Sequence, residues 1–481
     1  MNGVSIGLDL GSRSAHQAVV LAGPERELFS KKLLSTPSSL KAFWEEIQCI
    51  PQARQGISVV MEASGMAWYG VACFFEQKGA QVYRVKAQQA QQLRRFLNRY
   101  TKTDELDALA LAKMCYITPD IMEPLQRPDI ERWMMKRLIH RRRGLVKERA
   151  REIQRFSEMI AWLLPSLESS PSKWMGKKDR KIMVKAFNVD WLKHMGTSRF
   201  KRWVKKRHPS MTDQKRRDLY RAVMDARELL GEDNLDGEAF EFEARHYIKN
   251  LNRLDTHIHE IEQRIQKIYC SLDTQKLLES ISGIGALTAA TLRAYFGSGK
   301  MFDNRSKLEA FVGFIPKVNQ SGQSDKQGTS MRQDGPAELR QILYLATDRA
   351  RQSDPQIAAA YYKEMVQKGK THTQAICACV NRLLGRIWRV IRTEKPYELR
   401  DLEGSPISKQ KAQVLIEKNH KIPEKIRRQR RNKRRNNGKE KSGNRENITG
   451  RHKTPESNDP IVSKIISDNE ILNESEVLSM K

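Results

Sequence analysis

Four carboxylates are the residues of this chain whose setting suggests chemistry. Asp9 lies inside an apolar run, IGLDLGS, where burying an acid costs free energy unless a cation sits beside it. Glu62 closes a second apolar run, VVMEASG. Asp104 and Asp107 open the stretch TKTDELDALALAKM, and two residues three apart share one face of a helix. Thr101 followed by Asp104 also reads as a capping box, and acids in a first turn suit the helix dipole, so Asp104 has an explanation without function. Asp107 lies one turn in, beside Leu106, Leu109 and Ala110, and is not explained that way. Gathered in one place, the four would form a negative, oxygen-rich cage suited to Mg²⁺ or Mn²⁺. Two such ions can stabilise both the attacking and the leaving oxygen of a phosphodiester.

The elements that must position these acids are legible from patterning. Residues 4–10 and 16–22 read as a hairpin around Gly11-Ser12, residues 40–48 as an amphipathic helix, 57–62 as a strand, 68–77 as a helix and 81–85 as a strand ahead of the helix at Asp104. This is an α/β domain over residues 1–125. Residues 126–272 read as a helical linker, with a long helix over 129–164 stopped by Pro165 and a Lys-rich insertion over about 166–236 that suggests no fold. From Ala244 the apolar residues Tyr247, Leu251, Leu254, Ile258, Ile261, Ile265 and Ile268 recur at heptad spacing, a coiled-coil seam whose partner is either the earlier helix or a second subunit. Residues 273–400 are mostly helical. Past Leu402 apolar content falls, ten Lys or Arg lie between Lys425 and Lys441, and 401–481 reads as a basic, disordered tail.

The charge balance narrows the partners. Eighty-seven Lys and Arg against 57 Asp and Glu give a net charge of +30, which points to polyanions. Six cysteines with no CxxC pair signal neither a zinc knuckle nor a disulfide scaffold. No leader and no apolar run long enough to cross a bilayer are present, so a cytoplasmic, nucleoid-associated protein without membrane partners is expected. Three basic clusters suit phosphate backbones: Arg141, Arg142 and Arg143 beside His140; residues 199–207, where Arg202 and Lys205 flank Phe200 and Trp203, rings able to stack on unpaired bases; and residues 425–441. A solvated helix face accounts equally for the first. Gly283 and Gly285, in ISGIGALTAATLRAYFG, read either as a hairpin offering backbone N–H groups to a phosphate or as a plain capped connection between helices. Residues 316–335 form a loop rich in Gly, Ser and Gln, in which Ser321-Gly322 alone signals only a turn.

Taken together, Asp9 in a first strand, Glu62 after a later strand and Lys102-Thr103-Asp104…Asp107-Ala108 resemble the DEDD transposases of bridge-RNA-guided bacterial insertion sequences, relatives of the Piv DNA invertase. The resemblance implies a RuvC-like RNase H fold in the first domain, with Asp9, Glu62, Asp104 and Asp107 as ligands of Mg²⁺ or Mn²⁺. It also implies a C-terminal transposase domain in which a G-x-x-P element, here Gly313 to Pro316, precedes a loop Ser-Gly and a Gly-x-(Ser/Thr) element, here Gly328 to Ser330 and then Gly335. On that pattern Ser321, ahead of Ser306, Ser324 and Ser330, is a nucleophile that forms a phosphoserine ester with DNA, and Arg332 and Arg340 are candidates to hold the phosphate. The implied partners are target and donor DNA, a structured guide RNA encoded by the element, and further copies of the chain in a dimer or tetramer. The insertion over 166–236 and the tail depart from the family pattern. Two rivals stand beside this reading. IGLDLGSRSAHQAVV also resembles the first phosphate loop of actin-like sugar kinases, although no second phosphate loop follows, and an inactive, nucleic-acid-binding scaffold would keep the same charge.

Overall fold

Five strands organise the N-terminal part of the chain. The computed structural model describes residues 3–430 except 12–13, 63–66, 86, 97–102, 120–121, 123, 126–128, 168–170, 193–194, 232–235, 300, 315–319, 322–323 and 326–334. The chain divides into two units, Met1–Pro128 and Asp129–Lys481.

In the first unit, strands β1 (Val4–Asp9), β2 (His16–Leu21), β3 (Glu27–Leu33), β4 (Ile57–Glu62) and β5 (Gln81–Val85) form one sheet in the order β3-β2-β1-β4-β5. The first three are an antiparallel meander and β1, β4 and β5 run parallel. That order and those directions are those of a RuvC-like RNase H fold, and they follow from the sequence. The hydrophobic runs of β1 and β4, buried on both faces, suit the parallel centre, while β3, ELFSKKL, carries charges suited to an exposed edge. Those charges also hide β3 from a reading based on apolar runs. Helices α1 (Pro37–Gln48) and α2 (Ala67–Gln77) cover one face, where Phe43 meets Phe75 edge-on at 6.3 Å. Helices α3 (Ala87–Phe96) and α4 (Asp104–Ile117) cover the other, with Leu93, Leu111 and Met114 against Val60, Tyr83 and Val85.

Among its described residues the second unit is helical apart from one short hairpin and a single bridge between Arg400 and Pro406. Its axis is a pair of long helices, α5 (Ile130–Leu163) and α10 (Gly237–Leu272). Contacts between Glu131 and Ser271, Arg142 and Glu262, and Arg149 and Asp255 run in opposite order along the two, so they are antiparallel. The partner of the heptad seam is therefore the earlier helix: Leu251, Leu254 and Ile265 are buried within the chain. The other four seam residues, Tyr247, Ile258, Ile261 and Ile268, are half-buried.

Residues 166–236, to which the sequence suggested no fold, form a small helical layer at one end of that pair: α6 (Lys177–Ala186), α7 (Val189–Leu192), α8 (Thr197–Arg207) and α9 (Asp213–Leu230). Trp174, Phe187 and Phe200 are buried in its core together with Phe156 of α5 and Leu251 of α10. Arg180 ties the layer down, donating to the Met175 carbonyl at 2.6 Å and to Asp255 at 3.1 Å. At the other end of the pair, Met135, Ile139, Ile265 and Tyr269 join the core of α11 (Ala286–Phe296), α12 (Arg305–Val312), α13 (Ala337–Ala350), α14 (Pro355–Tyr362) and α15 (His372–Thr393). Asp354 is fully buried there and accepts from Arg386 at 2.9 Å and Tyr397 at 3.0 Å. The tail expectation fails over 401–430. Helix α16 (Lys409–Asn419) buries Ala412, Ile422 lies in the same core, and 424–430 is helical. A few well-spaced apolar side chains on a basic segment suffice to dock it. Residues 431–481 lie outside the described residues.

Candidate active site

Small residues decide where the acids of the first unit go. Gly7 of β1 faces α4 so closely that a Cβ there would fall 3.0 Å from the Ala108 carbonyl carbon and closer still to its oxygen and to the Ala112 nitrogen. Next along, Ser5 Oγ donates to the Ala112 carbonyl at 2.7 Å, and Tyr116 Oη donates to the Gly3 carbonyl at 2.9 Å. Helix α4 therefore runs antiparallel to β1 in direct contact with it. Its first turn lies at the carboxyl end of the strand. From Ala108 back to Asp104 is about 6 Å of helix, and from Gly7 on to Asp9 about 6.6 Å of strand, so the two travel the same distance.

Alternation then sets the faces. Ile6 and Leu8 point into the layer of α1 and α2, which leaves Ser5, Gly7 and Asp9 on the α4 side. Val59 and Met61 likewise face α1 and α2 while Val60 packs on α4, so Glu62 shares the α4 side. Since β1 and β4 are parallel neighbours with Leu8 opposite Met61, Asp9 and Glu62 end adjacent strands. Asp104 stacks one turn above Ala108 on the helix face that meets β1. All four acids thus belong to one end and one face of the sheet. Asp9, Glu62 and Asp107 are half-buried and Asp104 is exposed. Asp9 and Asp107 each engage a neighbouring group.

The structure corrects two details of this region. The helix cap is Thr103, whose Oγ1 accepts from the Leu106 N–H at 3.2 Å, and Thr101 lies outside the described residues. Among the described residues, no three His, Cys, Asp or Glu side chains stand close enough to cage a metal ion. The donor set is all carboxylate, which is right in kind for a hard divalent cation. It is wider than the coordination sphere of one ion.

In the second unit, Ser321 lies on a two-strand hairpin, β6 (Gln320–Ser321) with β7 (Ser324–Asp325), in which Gln320 pairs with Asp325 and Ser321 with Ser324. Both ends of the loop that carries it are fixed. Gly313 closes α12 at φ 81°, a left-handed backbone that glycine adopts without strain. At the far end Gly335 abuts the Val312 carbonyl with no space for a Cβ, its ideal Cβ position lying 2.7 Å from the Phe311 carbonyl oxygen. Arg340 donates to the Gly335 carbonyl, so its guanidinium braces the loop base. Of the other serines, Ser306 is exposed in the first turn of α12, and Ser330 lies outside the described residues together with Gly322, Gly328 and Arg332.

Several residues expected to contact nucleic acid have partners within the chain. Arg142 pairs with Glu262 at 2.6 Å and Arg143 with Glu338 at 2.7 Å, where His140 also reaches Glu338 at 3.2 Å. Of that run Arg141 is the exposed arginine. Burial pushes the Glu338 carboxyl up, but its own backbone N–H, Arg143 and His140 outweigh burial and hold it below the ordinary glutamate value. Phe200 is fully buried and cannot stack on a base. Trp203 is half-buried, 4.9 Å from Trp191 and with Arg207 over its ring at 4.5 Å, while Arg202 and Lys205 are exposed on α8. Gly283, at φ 86°, presses on α13, where a Cβ would sit 2.7 Å from the Ala350 nitrogen. The segment before it is a single 3₁₀ turn, Leu277–Ser280, so the expected hairpin has one full helix, α11, capped by the exposed Gly285.

Comparison with known families decides what this arrangement belongs to. A DEDD transposase model of the IS110 type matches residues 6–165, and the model of the transposase IS116/IS110/IS902 family matches residues 275–363. The chain belongs to the IS116/IS110/IS902 family of transposases. It is thus an enzyme that cuts and rejoins DNA, and the sugar-kinase alternative falls. The first match holds the four acids, the second holds Gly283, Gly285, Ser321, Arg332 and Arg340, and neither reaches 166–274. This transposase is 22% identical over 393 residues to the insertion element IS116 uncharacterized 44.8 kDa protein of Streptomyces clavuligerus, covering 81% of the present chain and 95% of that protein. It is 31% identical over 159 residues to the pilin gene-inverting protein of Moraxella lacunata, covering 32% and 48% respectively. Among solved structures it matches T. thermophilus RuvC in complex with a Holliday junction substrate, at 17% identity and a TM-score of 0.20, over 26% of this chain and 99% of that one. Among the described residues no helix is long and apolar enough to cross a membrane.

Proposed function

We propose that this transposase exchanges DNA strands by a divided chemistry, with Asp9, Glu62, Asp104 and Asp107 holding divalent metal and Ser321 supplying the nucleophile. One observation supports the first half above the rest: four carboxylates, from two adjacent strand ends and one helix start, share the same end and face of an RNase H-like sheet. When bound, Mg²⁺ or Mn²⁺ would polarise the scissile phosphate and stabilise charge on its oxygens. The four carboxylates would fix that positive charge at the strand ends, offsetting their own repulsion of the DNA phosphate. Ser321 Oγ loses its proton to a general base and attacks phosphorus. The bond from phosphorus to the leaving sugar oxygen breaks, and a phosphoserine ester carries the strand until a sugar hydroxyl of the other DNA reverses the step.

Choice of site is assigned to a structured guide RNA encoded by the element, base-paired with target and donor DNA, in an assembly of two or four chains. The net charge of +30 suits a protein that grips backbones while pairing reads sequence. Exposed Arg141, Arg202, Lys205 and the N-terminus of α11 at Gly285 serve as backbone contacts. Incubation with guide RNA, Mg²⁺ and DNA nicked to trap the intermediate should give a covalent protein–DNA adduct that Ser321→Ala abolishes. An adduct of undiminished yield in that variant would move the nucleophile elsewhere, and no adduct in the parent under any divalent ion would favour a non-catalytic scaffold.

A further inference from the structure

The stretch that neither family model reaches builds a feature of its own. Helices α6 and α10 diverge around a groove of about 390 Å³. Its floor is apolar, made by Val184 and Ile248, both buried. Its rims are cationic, with Lys181 and Lys185 on α6 facing Arg245 and Lys249 on α10, and Asn252 continues the second rim. The acid that meets the rim cations is turned inward. Glu241 is buried beneath the groove, where it accepts from Lys185 at 2.6 Å and from Asn188 at 2.8 Å and pairs with Arg245. That carboxylate anchors two of the rim cations and leaves four cations against one acid, a local surplus of three. Asp255, three residues beyond Asn252, is taken by Arg149 and Arg180.

We propose that this groove binds a single strand of DNA, with phosphates along the Lys181 and Lys249 rims and a sugar or base face on the Val184–Ile248 floor. Charge complementarity selects a polyanion, and the narrow apolar floor selects a strand over a duplex. A duplex presents phosphates outside and buries its bases, whereas an unpaired strand offers both chemistries on one side. DNA is the occupant because the family acts on DNA, and strand exchange exposes unpaired strands. Within the second unit the groove is built at the end of the α5–α10 pair opposite the helices α12 and α13 that flank the Ser321 loop, and it needs no metal, so it stands or falls independently of the proposed chemistry.

The test is anisotropy of a labelled single-stranded oligodeoxynucleotide with the full chain in EDTA, across a salt series. Lys181 and Lys249 are exposed rim residues, so Lys181→Gln/Lys249→Gln leaves the core intact. Each phosphate contact on a single strand contributes about 0.7 to the slope of log affinity against log salt, so the double variant should lose about 1.4 in slope and roughly tenfold in affinity at moderate salt. Lys181→Arg/Lys249→Arg should restore both. A control that removes two exposed lysines elsewhere, Lys267→Gln/Lys411→Gln, should lose much less. Equal loss in groove and control variants would overturn the site, since only net charge would then be at work. Loss confined to an RNA of the same sequence would overturn DNA as the occupant.

Discussion

Replacing Gly7 by alanine tests the register that brings the acids to one place. The substitution adds a single methyl group to β1, yet its position lies well inside the 3.0 Å that real Cβ atoms keep from the Ala108 carbonyl oxygen and the Ala112 nitrogen. Those are backbone atoms of α4 and have no rotamer to turn away. The helix must recede by about 1.5 Å to reach ordinary van der Waals separation. Overpacking of this kind costs about 1–3 kcal/mol, and the recoil also stretches the Ser5 to Ala112 bond, worth about 1 kcal/mol. A total near 3 kcal/mol corresponds to a fall in Tm of about 10 °C for a unit of this size. The functional effect should exceed the stability effect. A shift of about 1 Å in catalytic geometry costs on the order of a hundredfold in rate, because Asp104 and Asp107 move with the helix while Asp9 and Glu62 stay with the sheet. The assay is thermal unfolding of the variant beside DNA cleavage measured well below its Tm, over a range of Mn²⁺ concentrations. Unchanged Tm would refute the packing argument. A 10 °C loss with full cleavage at low temperature would refute the claim that α4 positions catalytic acids.

Two further outcomes follow from the second unit. Phe200→Ala should destabilise the helical layer by about 3–5 kcal/mol, seen as an earlier transition in urea, with nucleic-acid affinity unchanged below that transition; lost affinity at unchanged stability would return Phe200 to a stacking role. Glu338→Gln should cost about 2 kcal/mol at neutral pH by leaving Arg143 without its charge partner. Because the Glu338 carboxyl is held below its ordinary value of 4.5 in the folded chain, its stabilising contribution is complete above that pH and fades as pH falls through it. The gap between parent and variant in urea titrations should therefore narrow in acid, and a gap constant from neutral pH to well below 4.5 would show that charge is not what Glu338 contributes.

How far the chain could be read depended on whether a residue's partner was close in sequence. Strand β1, the hairpin to β2 and the helix at Asp104 each carry their own signal, apolar alternation or a helical period, and each was legible. Asp9 stood out as a candidate as well, because an Asp set among Ile6, Leu8 and Leu10 is anomalous wherever the strand goes. The basic run at His140–Arg143 was not. What Arg142 and Arg143 do is set by Glu262 and Glu338, 120 and 195 residues away, and a row of cations looks the same whether it meets carboxylates or phosphates. Phe200 and Trp203 show a related ambiguity. Aromatic rings among lysines suit stacking on bases, but Phe200 and Val204 are four apart, the spacing of a buried helix face, and both are fully buried.

The least legible feature is the one on which the candidate site most depends. Nothing in IGLDLGS states that its first glycine touches a helix a hundred residues later, and DALALA alone reads as a helix with small side chains. Set together, they form a matched pair, a strand without a Cβ and a helix with Ala108 and Ala112 on the meeting face, which allows the close approach seen in the Ser5 and Tyr116 bonds. Larger residues at these places would keep the RNase H-like strand order and still hold α4 farther from the sheet, separating Asp104 and Asp107 from Asp9 and Glu62. The fold and the acid set are thus distinct demands on the sequence: patterning meets the first, and a few small side chains meet the second.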